Sequence, residues 1–371
     1  MTSELLQVIA DDGAPSHSDA PELSDTELLH LYRTMVTTRA LDDRAIKLQR
    51  QGRIGFWVPC PGQEASHIGS AYALNDEDWV FPSYRDPGIC LLRGVSVLEL
   101  LHQCYGNAAD SGAGRQMPVH YSMKKINFVS ISSPIGTQIV QAVGAAMAAK
   151  IRRDPVVAMT YFGDGATSSN DFHTGLNFAG VYQAPCVFIC ENNGWAISCP
   201  LEGQTASENL AIKAEAYGIP GIRVEGNDVL AVYRATLEAV ERARVGGGPT
   251  MLELVTFRMG PHSSSDDAAR YRDPALVEEW TRKDPLPRMR RFLEHRGLWD
   301  EDQEAELQTA IGAEIQDAVE EAEKVGPPAL STMFDDVFEQ RTLAIDDQWR
   351  ALRDAYEKGI LNASQQGEFP L

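Results

Sequence analysis

Apolar positions recur at helical spacing through Leu28, Leu29, Leu31, Tyr32 and Met35, directly after Ser24 and Glu27. Ser followed three residues later by Glu is a capping box, so the pattern predicts a helix that starts at Ser24. Residues 1–22 lack such a pattern, carry Glu4, Asp11, Asp12 and Asp19, and read as a flexible acidic tail. Residues 52–86 are rich in Gly, Pro and polar residues and predict loops. Residues 136–150 form a small-residue helix with Ala142, Gly144, Ala145, Ala146, Ala148 and Ala149, fit for close packing inside the chain or against another subunit.

The middle of the chain alternates between two kinds of segment. Apolar runs at residues 156–162 and 185–190 flank a helical stretch around 172–181. A further helix is expected at 207–217, a strand at 222–224, a helix at 229–244 and a strand at 250–257. Strands that are apolar throughout, separated by helices, indicate a parallel sheet with helices on both faces, an α/β fold. The acidic stretch 300–325 predicts a solvated amphipathic helix. The expected organisation is a tail (1–22), an α/β domain (23–290) and a helical C-terminal extension (291–371) that packs on the domain or on a partner subunit.

Composition narrows the chemistry. The 371 residues are 43% hydrophobic, enough for a sizeable core, and the net charge is −20. Such a chain has no electrostatic reason to follow a phosphate backbone or an anionic membrane, so neither nucleic acid nor membrane is an expected partner. Any phosphate must be held locally. The six cysteines include no C-x-x-C pair and read as buried thiols in a reducing compartment. The first 23 residues contain neither a basic segment nor an apolar one, and no run is long and apolar enough to span a bilayer. A cytoplasmic location is therefore expected.

Ligand sites in parallel sheets lie beyond the carboxyl ends of the strands. Gly163-Asp164-Gly165-Ala166-Thr167 follows one predicted strand, and Glu191-Asn192-Asn193-Gly194-Trp195 follows the next. The 26 residues between Gly165 and Asn192 accommodate one crossover helix and one strand, which puts the two loops side by side. One carboxylate and one amide oxygen suit Mg²⁺, which usually shares few protein oxygens with a ligand's phosphates. Gly163 and Gly165 permit a tight turn, and Gly165 and Ala166 can offer N–H groups to an anion at a helix start. His262 follows a third strand end, where a histidine near neutrality could move protons. Each loop alone reads more readily as an ordinary glycine or Asn-Gly turn; their combination points to a site.

G-D-G, 26 residues, then N-N resembles the thiamine-diphosphate motif. Pro61-Gly62-Gln63-Glu64, Tyr84-Arg85, Arg115 to His120, Ser132 to Gln138 and His262 to Asp267 are similar to the α subunit of branched-chain 2-oxoacid dehydrogenases. This resemblance implies the diphosphate-binding half of a thiamine-diphosphate fold. It implies Mg²⁺ held by Asp164, Asn193 and the Trp195 carbonyl. Tyr84, Arg85, Gly163, Gly165, Ala166 and His262 would face the diphosphate, with Tyr84, Arg85 and His262 as catalytic groups. Arg85 suits this because a guanidinium can fork two phosphate oxygens. Ser133 and the Ile135 carbonyl would meet the aminopyrimidine, Ser132, Pro134, Thr137 and Gln138 would form a K⁺ site, and Phe56 would help shape the apolar pocket. The implied partners are a β subunit in an α₂β₂ heterotetramer, which supplies a carboxylate to the cofactor, a lipoyl-bearing acyltransferase and a small 2-oxo acid.

Two departures stand out. Glu191 replaces an arginine that binds phosphate in some relatives, and a carboxylate there repels diphosphate unless it points away. Trp195 replaces a common Tyr. Ser263–Ser265 match a loop that is phosphorylated in animal enzymes, a regulation that nothing else in the chain implies. Two alternatives are a pyruvate or acetoin dehydrogenase α subunit and a non-catalytic protein that retains the fold. A nicotinamide-dependent enzyme is disfavoured, because no G-x-G-x-x-G follows an early strand.

Overall fold

A computed structural model describes residues 4–15 and 20–359. In chain order the helices are α1 (Asp25–Arg50), α2 (Glu64–Tyr72), α3 (Pro87–Leu92), α4 (Val97–Tyr105), α5 (Thr137–Arg152), α6 (Asn170–Tyr182), α7 (Val229–Arg244), α8 (Pro274–Thr281), α9 (Pro285–His295), α10 (Glu301–Lys324), α11 (Thr332–Asp335) and α12 (Leu343–Glu357). The strands are β1 (Trp79–Phe81), β2 (Ala158–Gly163), β3 (Cys186–Asn192), β4 (Trp195–Ala196), β5 (Cys199–Pro200), β6 (Gly221–Glu225) and β7 (Thr250–Val255). The main sheet runs β1-β2-β3-β7-β6, parallel throughout. β4 and β5 form a separate short hairpin.

The α/β expectation holds, and strand periodicity explains the layers. Successive side chains in a strand point to opposite faces. Met159, Tyr161, Val187 and Ile189 join one core, shared with residues of α1, α2 and α7. Phe162, Phe188 and Cys190 join a second core, shared with α5 and α6. Every residue of β3 is buried, hence its lack of polar alternation. The capping box forms as read: Ser24 Oγ accepts from Glu27 N, and Glu27 Oε2 accepts from Ser24 N at 2.8 Å.

Four expectations differ. The segment read as a flexible tail is packed where it is described: Val8 and Ile9 are fully buried. Leu6 extends the open edge of β6, donating to the Arg223 carbonyl and accepting from Glu225 N. The edge offers unpaired backbone groups, and the few apolar residues of the tail satisfy them. Residues 1–3 and 16–19 of that segment lie outside the described residues. Residues 52–86 hold α2 and β1 as well as loops. Residues 64–71 of α2 are all buried, so this helix shows no polar face, and β1 is only three residues long. The helix expected at 207–217 is a 3₁₀ segment over Ala211–Tyr217. Finally, α10 is not merely solvated: Leu307, Ile311, Ile315, Val319 and Ala322 face inward, and it packs on α4 and α1. Residues 360–371 of the C-terminal extension lie outside the described residues. No helix among those described is long and apolar enough to cross a membrane.

Candidate functional site

β2, β3 and β7 are consecutive in the sheet, so the loops carrying Asp164, Asn193 and His262 leave at one rim. They line a single cavity of about 590 Å³. Beyond the sheet, Thr256 N and Arg258 N still donate to the Asn192 and Asn193 carbonyls, which holds the β3 loop against the strand leading to His262.

Asp164 begins a 3₁₀ turn over Asp164–Ser168 and is 1% exposed. Its carboxyl accepts from Gln204 Nε2 at 2.5 Å. Burial raises its pKa, and the Gln204 amide and the Asn193 backbone N–H oppose that rise. The Asp164 and Asn193 loops thus line the same wall of the cavity. Asn193 Nδ2 donates to Gln63 Oε1 at 2.9 Å, which fixes the amide orientation, and its Oδ1 accepts from Trp195 N at 3.2 Å. The Trp195 carbonyl, the third implied metal ligand, accepts from Arg258 Nη1 at 3.2 Å, so one of its two lone pairs is already engaged.

The two motif glycines do different work. A Cβ on Gly165 would lie 2.7 Å from the Ala196 Cβ, so the β4–β5 hairpin can approach only a glycine. Gly163 has an ordinary extended φ of −80°, and its Cβ would meet nothing closer than 3.9 Å. The turn does not require glycine there, contrary to the reading of both as turn residues. Gly194, at φ +81°, makes the Asn-Gly turn.

His262 differs from a proton shuttle poised near neutrality. Its Nδ1 faces Arg85 Nη2 at 3.3 Å and Arg258 Nη1 at 3.4 Å. Guanidinium groups only donate, so Nδ1 is the acceptor and the ring proton sits on Nε2. Burial first, then Arg85 and Arg258, pull its pKa down to about 4. The Arg85 fork, expected to be open for phosphate, is committed to protein acceptors: Nη1 donates to the Pro59 carbonyl and Nη2 to the His262 carbonyl at 3.0 Å. The Tyr84 ring stands edge-on to the His262 ring, with centroids 6.1 Å apart.

On the opposite wall, Ser133 Oγ lies 2.5 Å from His120 Nε2, and His120 Nδ1 lies 3.1 Å from the Pro118 carbonyl. A carbonyl requires Nδ1 to be the protonated nitrogen, so Ser133 donates to Nε2 and turns its lone pairs to the cavity. Thr137 Oγ1 donates to the Pro134 carbonyl, and Gln138 Nε2 donates to the Tyr161 carbonyl at 2.8 Å. Ser132, Pro134 and the half-exposed Ile135 line the same wall, and Phe56 lines the cavity as well. Glu191, the flagged departure, turns towards His67, and burial followed by the Asp86 carboxyl holds it far above the usual carboxylate range.

Gln63, His120, Gln204 and Arg258 were given no role from the sequence. Gln63 and His120 stand inside quoted motifs, but nothing in a motif says which residue orients another. Gln204 and Arg258 reach the site only through the hairpin and the third loop. Three of the buried amide atoms, Gln63 Nε2, Gln138 Oε1 and Gln204 Oε1, find no hydrogen-bond partner among the described residues. Of these, Gln63 Nε2 and Gln138 Oε1 belong to the cavity lining, which leaves one donor and one acceptor there for a ligand that carries both phosphate and cations.

The chain matches the family described as Dehydrogenase E1 component over residues 32–331. It is 44% identical over 335 residues to 2-oxoisovalerate dehydrogenase subunit alpha 2, mitochondrial, of Arabidopsis thaliana, covering 90% of this chain and 71% of that protein. Identity to 2-oxoisovalerate dehydrogenase subunit alpha, mitochondrial, of Bos taurus is 43% over 336 residues, with 90% and 74% covered. Identity to the pyruvate dehydrogenase E1 component subunit alpha of Staphylococcus aureus is 42% over 357 residues, with 96% and 94% covered.

Proposed function

Since the chain belongs to the Dehydrogenase E1 component family, we propose that it is the α subunit of a thiamine-diphosphate-dependent branched-chain 2-oxoacid dehydrogenase. It decarboxylates substrates such as 3-methyl-2-oxobutanoate and passes the acyl group to a lipoyl-bearing acyltransferase. The observation that carries this reading is the meeting of Asp164, Asn193 and His262 on the rim of one cavity.

Bound thiamine diphosphate supplies the electron sink for loss of CO₂. Asp164, Asn193 Oδ1 and the second lone pair of the Trp195 carbonyl would hold its Mg²⁺. The backbone N–H groups of Gly165 and Ala166, with Tyr84 and the Gln63 Nε2 that has no partner among the described residues, would face the diphosphate, and Arg85 would join them by exchanging its bond to the His262 carbonyl for one to phosphate. Gly163, which lines the same cavity, would face the diphosphate beside them. Ser133 offers lone pairs to the aminopyrimidine beside the Ile135 carbonyl. His262 presents an Nε2–H to the reacting region as a hydrogen-bond donor. K⁺ would satisfy the orphaned Gln138 Oε1 together with Ser132, Thr137 and the Pro134 carbonyl.

Three large apolar side chains of the cavity wall, Met117, Ile135 and Ile197, are about half exposed. A second chain that covers them would complete the pocket, so a β subunit in an α₂β₂ assembly is part of this reading. It would also supply the carboxylate that activates the aminopyrimidine. Six free cysteines suit a reducing compartment such as the cytoplasm.

The test reconstitutes the chain with its β subunit, thiamine diphosphate and Mg²⁺, and compares kcat/KM for 3-methyl-2-oxobutanoate and pyruvate. A clear preference for the branched acid is expected. The pyruvate dehydrogenase relatives favour a second reading, and a preference for pyruvate would establish it. Failure to bind the cofactor with both subunits present would end the enzymatic reading.

A further inference from the structure

Three side chains meet beneath the rim, and of them only Glu191 reaches the cavity wall. His67 sits on α2, Asp86 just before α3 and Glu191 near the end of β3. One donor atom from each lies within 4.8 Å of the others, and His67 Nδ1 is 4.0 Å from Glu191 Oε1. Their exposures are 0%, 1% and 2%. Asp86 is held by the Ser83 backbone N–H at 2.8 Å. Neither nitrogen of His67 nor Glu191 Oε1 has a hydrogen-bond partner among the described residues. A Cβ on Gly88 would lie 2.5 Å from His67 Nε2. Backbone therefore closes that side of the ring, and Nδ1 is the atom turned to the carboxylates.

Two carboxylates and an imidazole are buried together, and the one cation acting on both carboxylates, Arg85, spends its own N–H groups on the Pro59 and His262 carbonyls, so their charge is only partly offset. A proton shared between Asp86 and Glu191 would quiet their repulsion, yet both imidazole nitrogens would stay orphaned, at a cost of about 1–3 kcal/mol each. A dication matches the charge of both carboxylates and gives Nδ1 a partner in the same step. The donor set also selects the ion. Mg²⁺ prefers oxygen alone, whereas imidazole with carboxylate suits first-row transition metals at bond lengths of roughly 2.0–2.2 Å. Glu191 borders the cavity, which gives an ion and its water ligands a way in.

We propose that His67, Asp86 and Glu191 bind a divalent transition-metal ion, Zn²⁺ or Mn²⁺, at a site separate from that of Asp164 and Asn193. The ion would tie α2, the 83–86 turn and β3 together under the cofactor loops. This does not rest on the proposed function.

The test uses the full chain, alone and with its β subunit, stripped by chelator, loaded with Zn²⁺ or Mn²⁺ and dialysed against excess Mg²⁺. Elemental analysis should find one transition-metal ion per chain, and X-ray absorption should show one nitrogen and two carboxylate groups around it. His67→Gln and Glu191→Gln should each lose the ion, with folding checked by circular dichroism. Asp164→Asn should keep it while losing Mg²⁺–thiamine diphosphate binding, which separates failure of this site from failure of the functional reading. A metal-free chain after loading, or retention of the ion by both the His67 and Glu191 variants, would overturn the proposal.

Discussion

Asn193 Nδ2 donates to Gln63 Oε1 across 2.9 Å, although 130 positions separate the two residues. An amide presents either its oxygen or its nitrogen to a cavity, and this bond decides in favour of the oxygen. Gln63→Ala removes the constraint. The expected effect is a loss of Mg²⁺ affinity of about 10–100-fold, the usual consequence of losing a group that orients a ligand. Calorimetric titration of Mg²⁺ in the presence of thiamine diphosphate measures it. Unchanged affinity would mean that Asn193 needs no such support.

Gly165→Ala and Gly163→Ala should behave differently despite sharing one motif. The first forces a Cβ to 2.7 Å from Ala196 and should push the β4–β5 hairpin away. A cost of about 1–3 kcal/mol is expected, with weaker cofactor binding. The second meets only the Glu191 carbonyl, at an ordinary 3.9 Å, at an allowed φ and should leave stability within roughly 0.5 kcal/mol. Thermal melts of both variants decide the matter; equal destabilisation would refute the packing account.

His262 should stay neutral in the cofactor-free chain well below the pH at which an ordinary histidine charges. Its pKa, pulled down to about 4 from 6.5, lies below the unfolded value. The unfolded chain therefore takes up this proton first as pH falls. The contribution to stability is complete above pH 6.5 and is lost as pH falls through about 4. NMR of the His262 ring should show no titration between pH 8 and 5.5. Arg258→Met removes one of the two facing cations and should move the midpoint upwards.

Asp228 joins the N-terminal segment to the domain. Its Oδ2 accepts from Val8 N and Ile9 N, both at 2.6 Å, while its Oδ1 accepts from Leu230 N and Ala231 N at the start of α7. Asp228→Ala should cost about 3 kcal/mol through loss of the cap and the charge-assisted bonds. Hydrogen exchange at Val8 and Ile9 should accelerate sharply. Persistent protection of those amides would show that apolar burial alone holds the segment.

Much of this molecule was written locally. The apolar runs at β2, β3 and β7 and the helix α7 were legible because burial on both faces strips a strand of polar residues and because Asp228 caps its helix. The order of G-D-G, N-N and His262 after three such runs already placed them at strand ends. What the sequence could not convey depends on distant contacts. A short edge strand and a wholly buried helix carry no periodicity, so β1 and α2 were invisible. The polar tail gave no sign that Leu6 would find the open edge of β6. The chemical state of the site was likewise decided in three dimensions. Two arginines, Arg85 and Arg258, converge on one nitrogen of His262 and set its proton on the other. Gln63 chooses the face of Asn193, and the fold turns Glu191 towards His67 and Asp86. Local pattern reports which backbone a segment prefers; orientation, tautomer and charge follow from neighbours that only folding brings together.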